Sequence, residues 1–262
     1  MRGVRAAFIV SILLMSSLAG CLGDDSDSDE NSPIDLLVHY DSTSGAIEDV
    51  WFEGQQTSST GVTIEFDFAR TTSEGGDITL ISLDPGDGSS PITSDPSENA
   101  QITYEWMTHG LYNVKLSATD SNENIAEKSI IVRIDHHIVW SQDGTSNPIM
   151  QEFSLNSDSE NMPEEIVVIS SVENNEANIF ETATPVDVTW LLKDAAGEVA
   201  ESCNDEQVGD GQTHECKMTE RTISDGQWSL EIELSSEESV DVDNDITIAY
   251  AQDESAPNPL TS

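Results

Sequence analysis

The stretch GLYNVKLSATD, residues 110–120, sets the pattern from which the fold of this chain is predicted. Val114, Leu116 and Ala118 alternate with other residues, so their side chains point to one side of an extended chain. The same alternation recurs in the runs 62–68, 130–134, 186–192, 228–234 and 246–250. A period of two residues is typical of half-buried β-strands, and clusters of Gly, Asn, Asp, Ser and Pro separate the runs. The sequence therefore predicts an all-β protein.

The strands form two groups, with a boundary near residue 136. Their spacing predicts two tandem antiparallel β-sandwiches, immunoglobulin-like or jelly-roll-like, over residues 35–135 and 136–252. His136 and His137 fall in the predicted linker, where adjacent side chains of an extended chain point to opposite sides and share no metal. Residues 253–262 contain two prolines and no pattern, so they are predicted to be a disordered tail.

The first group contains two distinctive blocks, DPGDG at residues 84–88 and the stretch 110–120. Together these blocks resemble the PKD (polycystic kidney disease) domain. The resemblance covers roughly residues 45–135 and implies an immunoglobulin-like sandwich of a kind common in microbial surface proteins. The matching positions are Asp84, Gly86, Asp87 and Gly88 in the first block and Gly110, Tyr112, Val114, Leu116 and Asp120 in the second.

Three positions depart from the family pattern. Leu83 stands where the family usually has tryptophan, Pro85 where it has phenylalanine and Ala118 where it has valine. These are side chains of the expected core, so the departures concern its packing rather than the fold.

The matched residues have physical roles in a sandwich. Gly86 and Gly88 allow positive φ in a tight turn, where Asp84 and Asp87 can accept backbone N–H bonds. Tyr112 begins a strand after a glycine turn, where its ring can be buried while its hydroxyl reaches a loop. A cation site formed by the two aspartates is the alternative interpretation of the first block.

A second aspartate cluster lies close to the end of the chain. Asp241, Asp243 and Asp245 alternate in the stretch DVDND, as oxygen ligands do at the start of a calcium loop. An EF-hand would need glycine and glutamate where Ile246 and Gln252 stand. A loop before the last strand is the favoured interpretation, weak calcium binding is the alternative, and no other cofactor is predicted.

The N-terminus predicts export and a lipid anchor. Arg2 and Arg5 precede an apolar segment that is too short for a comfortable membrane span. The segment ends in LAGC, residues 18–21, which resembles the lipobox of prokaryotic lipoproteins, so residues 1–20 are expected to be removed and Cys21 to carry lipid. An ordinary signal peptide or an uncleaved anchor is the alternative. Residues 21–34 are acidic and predict a flexible tether, which places the protein in the cell envelope on the extracytoplasmic face of a membrane.

The other two cysteines, Cys203 and Cys216, are predicted to pair in an oxidising compartment. The stretch GDG at residues 209–211 supplies a turn that can bring them together. A metal bound by these cysteines and His214 is the competing hypothesis, and it lacks a fourth ligand at zinc-like spacing.

The composition is strongly acidic, with 51 Asp and Glu, nine Lys and Arg, and a formal charge of −42. Such a charge argues against nucleic acid and anionic lipid headgroups as partners. The acids are spread along the whole chain, which favours a surface solvated in a salty environment, from a marine or halophilic source. A surface that collects divalent cations is the alternative.

The second group has no comparably specific motif. Its strands around Trp190 and Trp228 are weakly similar to jelly-roll domains appended to secreted peptidases, which supports sandwich architecture only. Trp140, Trp190 and Trp228 lie in alternating strands, so we expect them in the core rather than on a sugar-stacking surface.

No motif of an enzyme occurs in the sequence: it lacks a nucleophile elbow, a metalloprotease helix and a phosphate-binding glycine loop. The sequence thus predicts a non-enzymatic, lipid-anchored surface protein acting in adhesion, protein interaction or envelope organisation. The alternative is a carbohydrate- or calcium-binding accessory module of a secreted hydrolase system. Expected partners are the membrane, through Cys21, and a surface protein or glycan.

Overall fold

The computed structural model describes residues 32–155, 162–174 and 184–260 of the chain. These residues form β-strands and no helix, which confirms the predicted all-β class, and none of them belongs to a helix that could span a membrane. The predicted signal peptide, Cys21 and most of the predicted tether fall outside the described residues. The strands are β1 (Ile34–Asp35), β2 (Ser44–Phe52), β3 (Gln55–Thr60), β4 (Val62–Asp67), β5 (Thr72–Ser73), β6 (Ile78–Asp84), β7 (Ile92–Ser94), β8 (Gln101–Trp106), β9 (Gly110–Asp120), β10 (Ile125–Thr145), β11 (Gln151–Leu155), β12 (Glu165–Asn174), β13 (Val186–Lys193), β14 (Val199–Val208), β15 (Gln212–Glu220), β16 (Gly226–Leu234) and β17 (Val240–Ala249).

A nine-stranded sheet runs through both halves of the molecule. Its main order is β15-β12-β17-β10-β9-β6-β7, and β2 and β3 are added beside β10. A four-stranded sheet, β11-β16-β13-β14, packs on the second half, and the two-stranded sheets β4-β8 and β1-β5 lie on the first half. The two sandwiches therefore share one sheet.

Strand β10 is continuous across the predicted domain boundary. Its residues 125–134 pair with β9, residues 136–145 pair with β17, and residues 133–141 pair with β2. His136 and His137 thus lie inside a strand, which corrects the prediction of a linker. The alternation explains the continuity, because Ile134, Ile138 and Trp140 are buried in turn and no Gly or Pro interrupts them.

The pairing of β2 with β10 is parallel, whereas the sequence predicted antiparallel sandwiches. A parallel pair needs a long crossover between its strands, and here the rest of the first domain forms that connection. Alternation along a strand gives its buried face but not the direction of its neighbour. This one pair therefore could not be inferred from periodicity.

Two hydrophobic cores lie on the shared sheet, one in each domain. The first contains Phe66 and Trp106, both fully buried. The second contains Trp140, Trp190 and Trp228, each at most 2% exposed, which confirms their prediction as core residues. Large aromatic side chains supply much of the apolar area that each small core buries.

The C-terminal segment is held against the first domain, and residues 253–260 correct the prediction of a disordered tail. Asn258 exchanges backbone hydrogen bonds with Tyr40, at 3.0 and 3.1 Å. Glu254 accepts two hydrogen bonds from the Arg133 guanidinium, both at 3.0 Å, and Ser255 bonds to the backbone of β10. These contacts are made by polar residues at irregular spacing, so they leave no alternating pattern in the sequence.

Candidate functional site

The turn after β6 has the backbone that the sequence predicted. Gly86 and Gly88 have φ of +77° and +83°, in the left-handed region that favours glycine. A Cβ atom on Gly86 would lie 2.6 Å from the carbonyl oxygen of Asn113, so this position also requires glycine for close approach to β9.

The two aspartates of this turn stabilise it. Asp84 Oδ1 accepts the Gly86 N–H at 3.1 Å, and Asp87 Oδ1 accepts the Ser89 N–H at 2.9 Å. Asp87 Oδ2 accepts the Tyr104 hydroxyl. Partial burial opposes ionisation of Asp87, but the hydrogen bonds from Tyr104 and Ser89 hold its pKa below the usual value. The carboxylates therefore serve the turn.

Tyr112 of β9 lies near the same turn, with its ring 6.1 Å from that of Trp106. Its ring is 7% exposed, and its hydroxyl donates to the Thr108 carbonyl oxygen at 2.6 Å, as the sequence predicted. An immunoglobulin-like sandwich commonly has such a tyrosine bonded to backbone a few residues upstream.

The second aspartate cluster lies on β17 and not in a loop before it. Asp241, Asp243 and Asp245 occupy alternate positions whose neighbours are buried, so they project from the outer face of the sheet. Asp241 Oδ1 accepts the Gly144 N–H at 2.6 Å, and Asp245 lies 3.0 Å from His137 Nε2. The cluster is in the second domain, and the structure does not bring it together with Asp84 and Asp87.

Acidic neighbours surround the middle residue of this row. Partial burial raises the pKa of Asp243, and the carboxylates of Asp143, Asp241 and Glu173 raise it further. Such crowding favours a proton or a cation. Among the described residues, however, no three His, Cys, Asp or Glu side chains form a group that could hold a metal ion.

Cys203 and Cys216 form a disulfide, with their Cα atoms 6.1 Å apart. The bridge joins β14 of the four-stranded sheet to β15 of the nine-stranded sheet, so it closes one side of the second sandwich. The metal hypothesis is wrong, because the sulfurs are bonded to each other. His214 instead pairs with Asp205 at 2.5 Å.

A cluster of rings lies where β9 and β17 meet on β10. His109 precedes β9 and Tyr250 follows β17, and the Tyr250 hydroxyl lies 2.8 Å from His109 Nδ1. His109 Nε2 lies 3.3 Å from the Ser154 carbonyl oxygen, and the ring stacks on His136 at a centroid distance of 5.0 Å. His136 Nε2 pairs with Asp49 at 2.9 Å. This junction connects side chains of both domains.

The junction keeps its histidines neutral. Burial lowers the pKa of His109 to about 4, and the adjacent His136 contributes to the shift. Burial also lowers the pKa of His136, although Asp49 opposes that effect. The Ser154 carbonyl oxygen can only accept a hydrogen bond, so we assign the His109 proton to Nε2, which leaves Nδ1 to accept the Tyr250 hydroxyl.

A cleft of about 330 Å³ opens on the first domain beside the C-terminal segment. Its walls are the edge of β4, the segment 39–42 and the side chain of Leu260. It is lined by His39, Tyr40, Asp41, Ser42, Thr63, Ile64, Glu65, Asp67, Gln101 and Leu260. His39 Nδ1 lies 3.2 Å from the Asn258 carbonyl oxygen, so the cleft depends on the docked C-terminal segment.

Part of the chain matches a family of known domains. Residues 49–134 match the model of the PKD domain. This match identifies the first of the two sandwiches as a PKD domain. No curated protein matches the chain significantly.

Solved structures resemble the PKD domain and its partner sandwich only distantly. A carbohydrate-binding module of the β-sandwich superfamily, studied for promiscuous specificity, is 12% identical, covers 84% of this chain and 98% of its own, and has a TM-score of 0.32. The CBM22-1 xylan-binding domain of Paenibacillus barcinonensis Xyn10C is 14% identical over 67% and 97% of the two chains, with a TM-score of 0.23. With scores this low, these similarities give no guide to the ligand.

The PKD domain has a buried tryptophan beside the motif turn, although it lies on another strand and not at position 83. Leu83 is fully buried, and Trp106 of β8 is also fully buried beside the same turn. The Trp106 indole N–H points to the Pro85 carbonyl oxygen, at 3.4 Å. The core thus keeps an aromatic ring although the motif position has lost it.

Sequence reasoning missed the junction and the cleft. His109 directly precedes Gly110, the first residue of the second PKD block, but no neighbouring residue indicates its contact with Tyr250. The cleft needs residues 258–260, which alternation does not predict. The position of His109 between two predicted strands was the one sequence signal for the junction.

Proposed function

We propose that this chain is a non-enzymatic surface protein, held by lipid on Cys21 to the extracytoplasmic face of a membrane. It presents two joined sandwiches for adhesion, protein interaction or envelope organisation. The observation that carries the proposal is the continuity of β10 through both domains, with paired neighbours at the boundary. At about 3.3 Å per residue this strand extends about 70 Å, which suits a rigid spacer.

The acidic composition is consistent with a highly solvated protein surface, as proposed for a protein outside the cell. A charge of −42 keeps the surface solvated and repels polyanions, so the proposal includes no nucleic-acid partner. The PKD domain belongs to a fold whose functions reside in surface loops and edges rather than in a conserved reaction centre. We therefore assign no reaction to the chain.

The anchor is tested by the substitution Cys21→Ser in the full chain. We expect loss of an acyl mass from the protein and its release into the medium, because the thiol that carries the lipid is gone. Ser28→Ala, in the same acidic segment, is the matched control and should leave the protein membrane-bound. Mass spectrometry that finds a wild-type N-terminus other than Cys21 contradicts the anchor.

The spacer role is tested by the distance between the two domains. Spin labels attached by a non-cysteine chemistry at Lys115 and Lys217 report on the first and second domains, respectively. We expect a distance distribution as narrow as that of a control pair inside the first domain, at Lys115 and Thr93. A broad or bimodal distribution for the pair in different domains would show a hinge and contradict the spacer role.

Glycan binding at the cleft is the second candidate function. Asp41, Glu65 and Gln101 offer carboxylate and amide groups that can bind sugar hydroxyls, beside the apolar Ile64 and Leu260. Glycan arrays with and without calcium test it, with Glu65→Gln as the variant. Binding that Glu65→Gln reduces supports the cleft, and no binding in either condition excludes this function.

A further inference from the structure

Strand β3 differs in charge from the rest of the sheet. Its sequence is QQTSST, and it lies in a run from Gly54 to Ile64 that contains no charged residue. All other described strands of five or more residues carry at least one carboxylate. In a chain of charge −42, this strand is a neutral strip.

The neutral strip is also an open edge. β3 pairs only with β2, and no described residue forms a backbone hydrogen bond to its other side. All six of its side chains are exposed, so it contributes nothing to either core. The turn of Glu53 and Gly54, with φ of +51° and +74°, fixes it as a hairpin strand.

Proteins normally block such edges with charge, proline or short length, because an open edge pairs with other chains. β3 has neither charge nor proline. We propose that β3 is a docking edge for a second copy of this chain, which adds its own β3 in antiparallel orientation around a two-fold axis. Serine, threonine and glutamine both donate and accept hydrogen bonds, so the edge is complementary to itself.

Charge selects this edge for contact between copies. At the other edge strands of five or more residues, such as β11, β14 and β15, two approaching copies bring carboxylates together, whereas two β3 strands place only neutral side chains opposite each other. Glu48 and Asp49 lie one strand behind, on β2. Across the pair, the two β2 strands are separated by three strand spacings, about 14 Å, which exceeds the screening length of about 8 Å at physiological salt.

The test is sedimentation equilibrium of the full chain at 0.05 and 1 M salt, with Ser58→Glu as the variant. We expect a reversible dimer that is tighter at high salt, and a dissociation constant about tenfold larger for Ser58→Glu, since like charges then face each other. Thr93→Glu adds the same charge to exposed β7 at another edge of the sheet and should leave the dimer unchanged.

Amide hydrogen exchange of the wild-type chain keeps the proposal testable if a variant misfolds. Exchange of β3 amides should slow as protein concentration rises. A monomer at every salt concentration, equal weakening by Thr93→Glu, or protection only outside β3 overturns the proposal. Protection of β3 that requires another protein, in a chain that is itself monomeric, also overturns it in favour of a foreign strand.

Discussion

The two domains share one sheet but are closed in different ways. The first is closed by backbone geometry, in the glycine turn at residues 86–88 and the Tyr112 hydrogen bond, and by the returning segment 253–260. The second is closed by a covalent bond, Cys203–Cys216, between its two sheets. Backbone geometry demands particular residues at fixed spacing, whereas a disulfide demands only its two cysteines and an apolar core only apolar residues of suitable volume.

This difference explains why the first domain resembles a known family at particular positions. A turn that needs positive φ admits few residues other than glycine, so its sequence is restricted. The second core accepts many combinations of apolar residues of the right volume. The shared sheet nevertheless predicts that the domains depend on each other for stability, which the following substitutions examine.

Trp190→Ala should have the largest effect. Trp190 is 1% exposed, and its indole N–H donates to Ser170 Oγ at 2.8 Å, so the substitution leaves a cavity and removes one of the two hydrogen bonds of that hydroxyl. We expect a loss of about 4 kcal/mol in the free energy of unfolding, measured by denaturant titration. Because β10 belongs to both cores, the near-UV circular dichroism signals of both domains should change over the same range of denaturant concentration.

The control for that experiment is Phe52→Ala, at a side chain 44% exposed, which should change stability little. If Trp190→Ala instead unfolds the second domain and leaves the transition of the first domain in place, the shared sheet does not couple them.

Removal of the disulfide should have the next largest effect. Cys203→Ala with Cys216→Ala frees strands β14 and β15 at a separation of 13 residues, which costs about 3 kcal/mol on the chain-entropy model. Melting temperatures with and without a reducing agent measure it. The reducing agent should lower the melting temperature of the wild type and leave that of the double variant unchanged. An unchanged melting temperature of the wild type would show that the disulfide contributes little to the stability of the second sandwich.

Protonation of the junction should have a smaller, pH-dependent effect. The folded-state pKa of His109 is about 4, below its unfolded value of 6.5, so acid favours the unfolded chain. This contribution to stability is complete above pH 6.5 and is lost as pH falls toward 4. Relative to pH 8, it should decrease by about 2 kcal/mol at pH 5.

His109→Gln isolates this contribution from that of the many carboxylates. Its unfolding free energy should fall less steeply between pH 8 and 5 than that of the wild type, in denaturant titrations at each pH. The same substitution at the partly exposed His137 serves as the control. Parallel curves for the wild type and His109→Gln would mean that the junction does not resist protonation.

The sequence predicted strands well because burial repeats every second residue, as at Trp190, Leu192 and their neighbours. It also predicted Tyr112 and the cysteine pair, since each follows from local geometry or from elimination. These features depend on a few adjacent residues. They are therefore visible without knowledge of the fold.

The features that the sequence did not reveal depend on partners far along the chain. The docking of Asn258 on Tyr40 and the contact of His109 with Tyr250 join residues more than a hundred positions apart. Strand β10 looked like two strands because its two halves pack on different cores. The aspartates at 84 and 87 resembled ligands because a turn and a cation use the same carboxylate oxygens.

The returning C-terminal segment determines how the molecule would carry force. Residue 34 pairs with residue 73, and residue 258 pairs with residue 40, so both described ends are attached to the first domain. A pull applied through either end is borne by the first domain, while the second domain lies outside the path of the load. The second domain therefore unfolds under such tension only when failure of the first domain disrupts the sheet that both share.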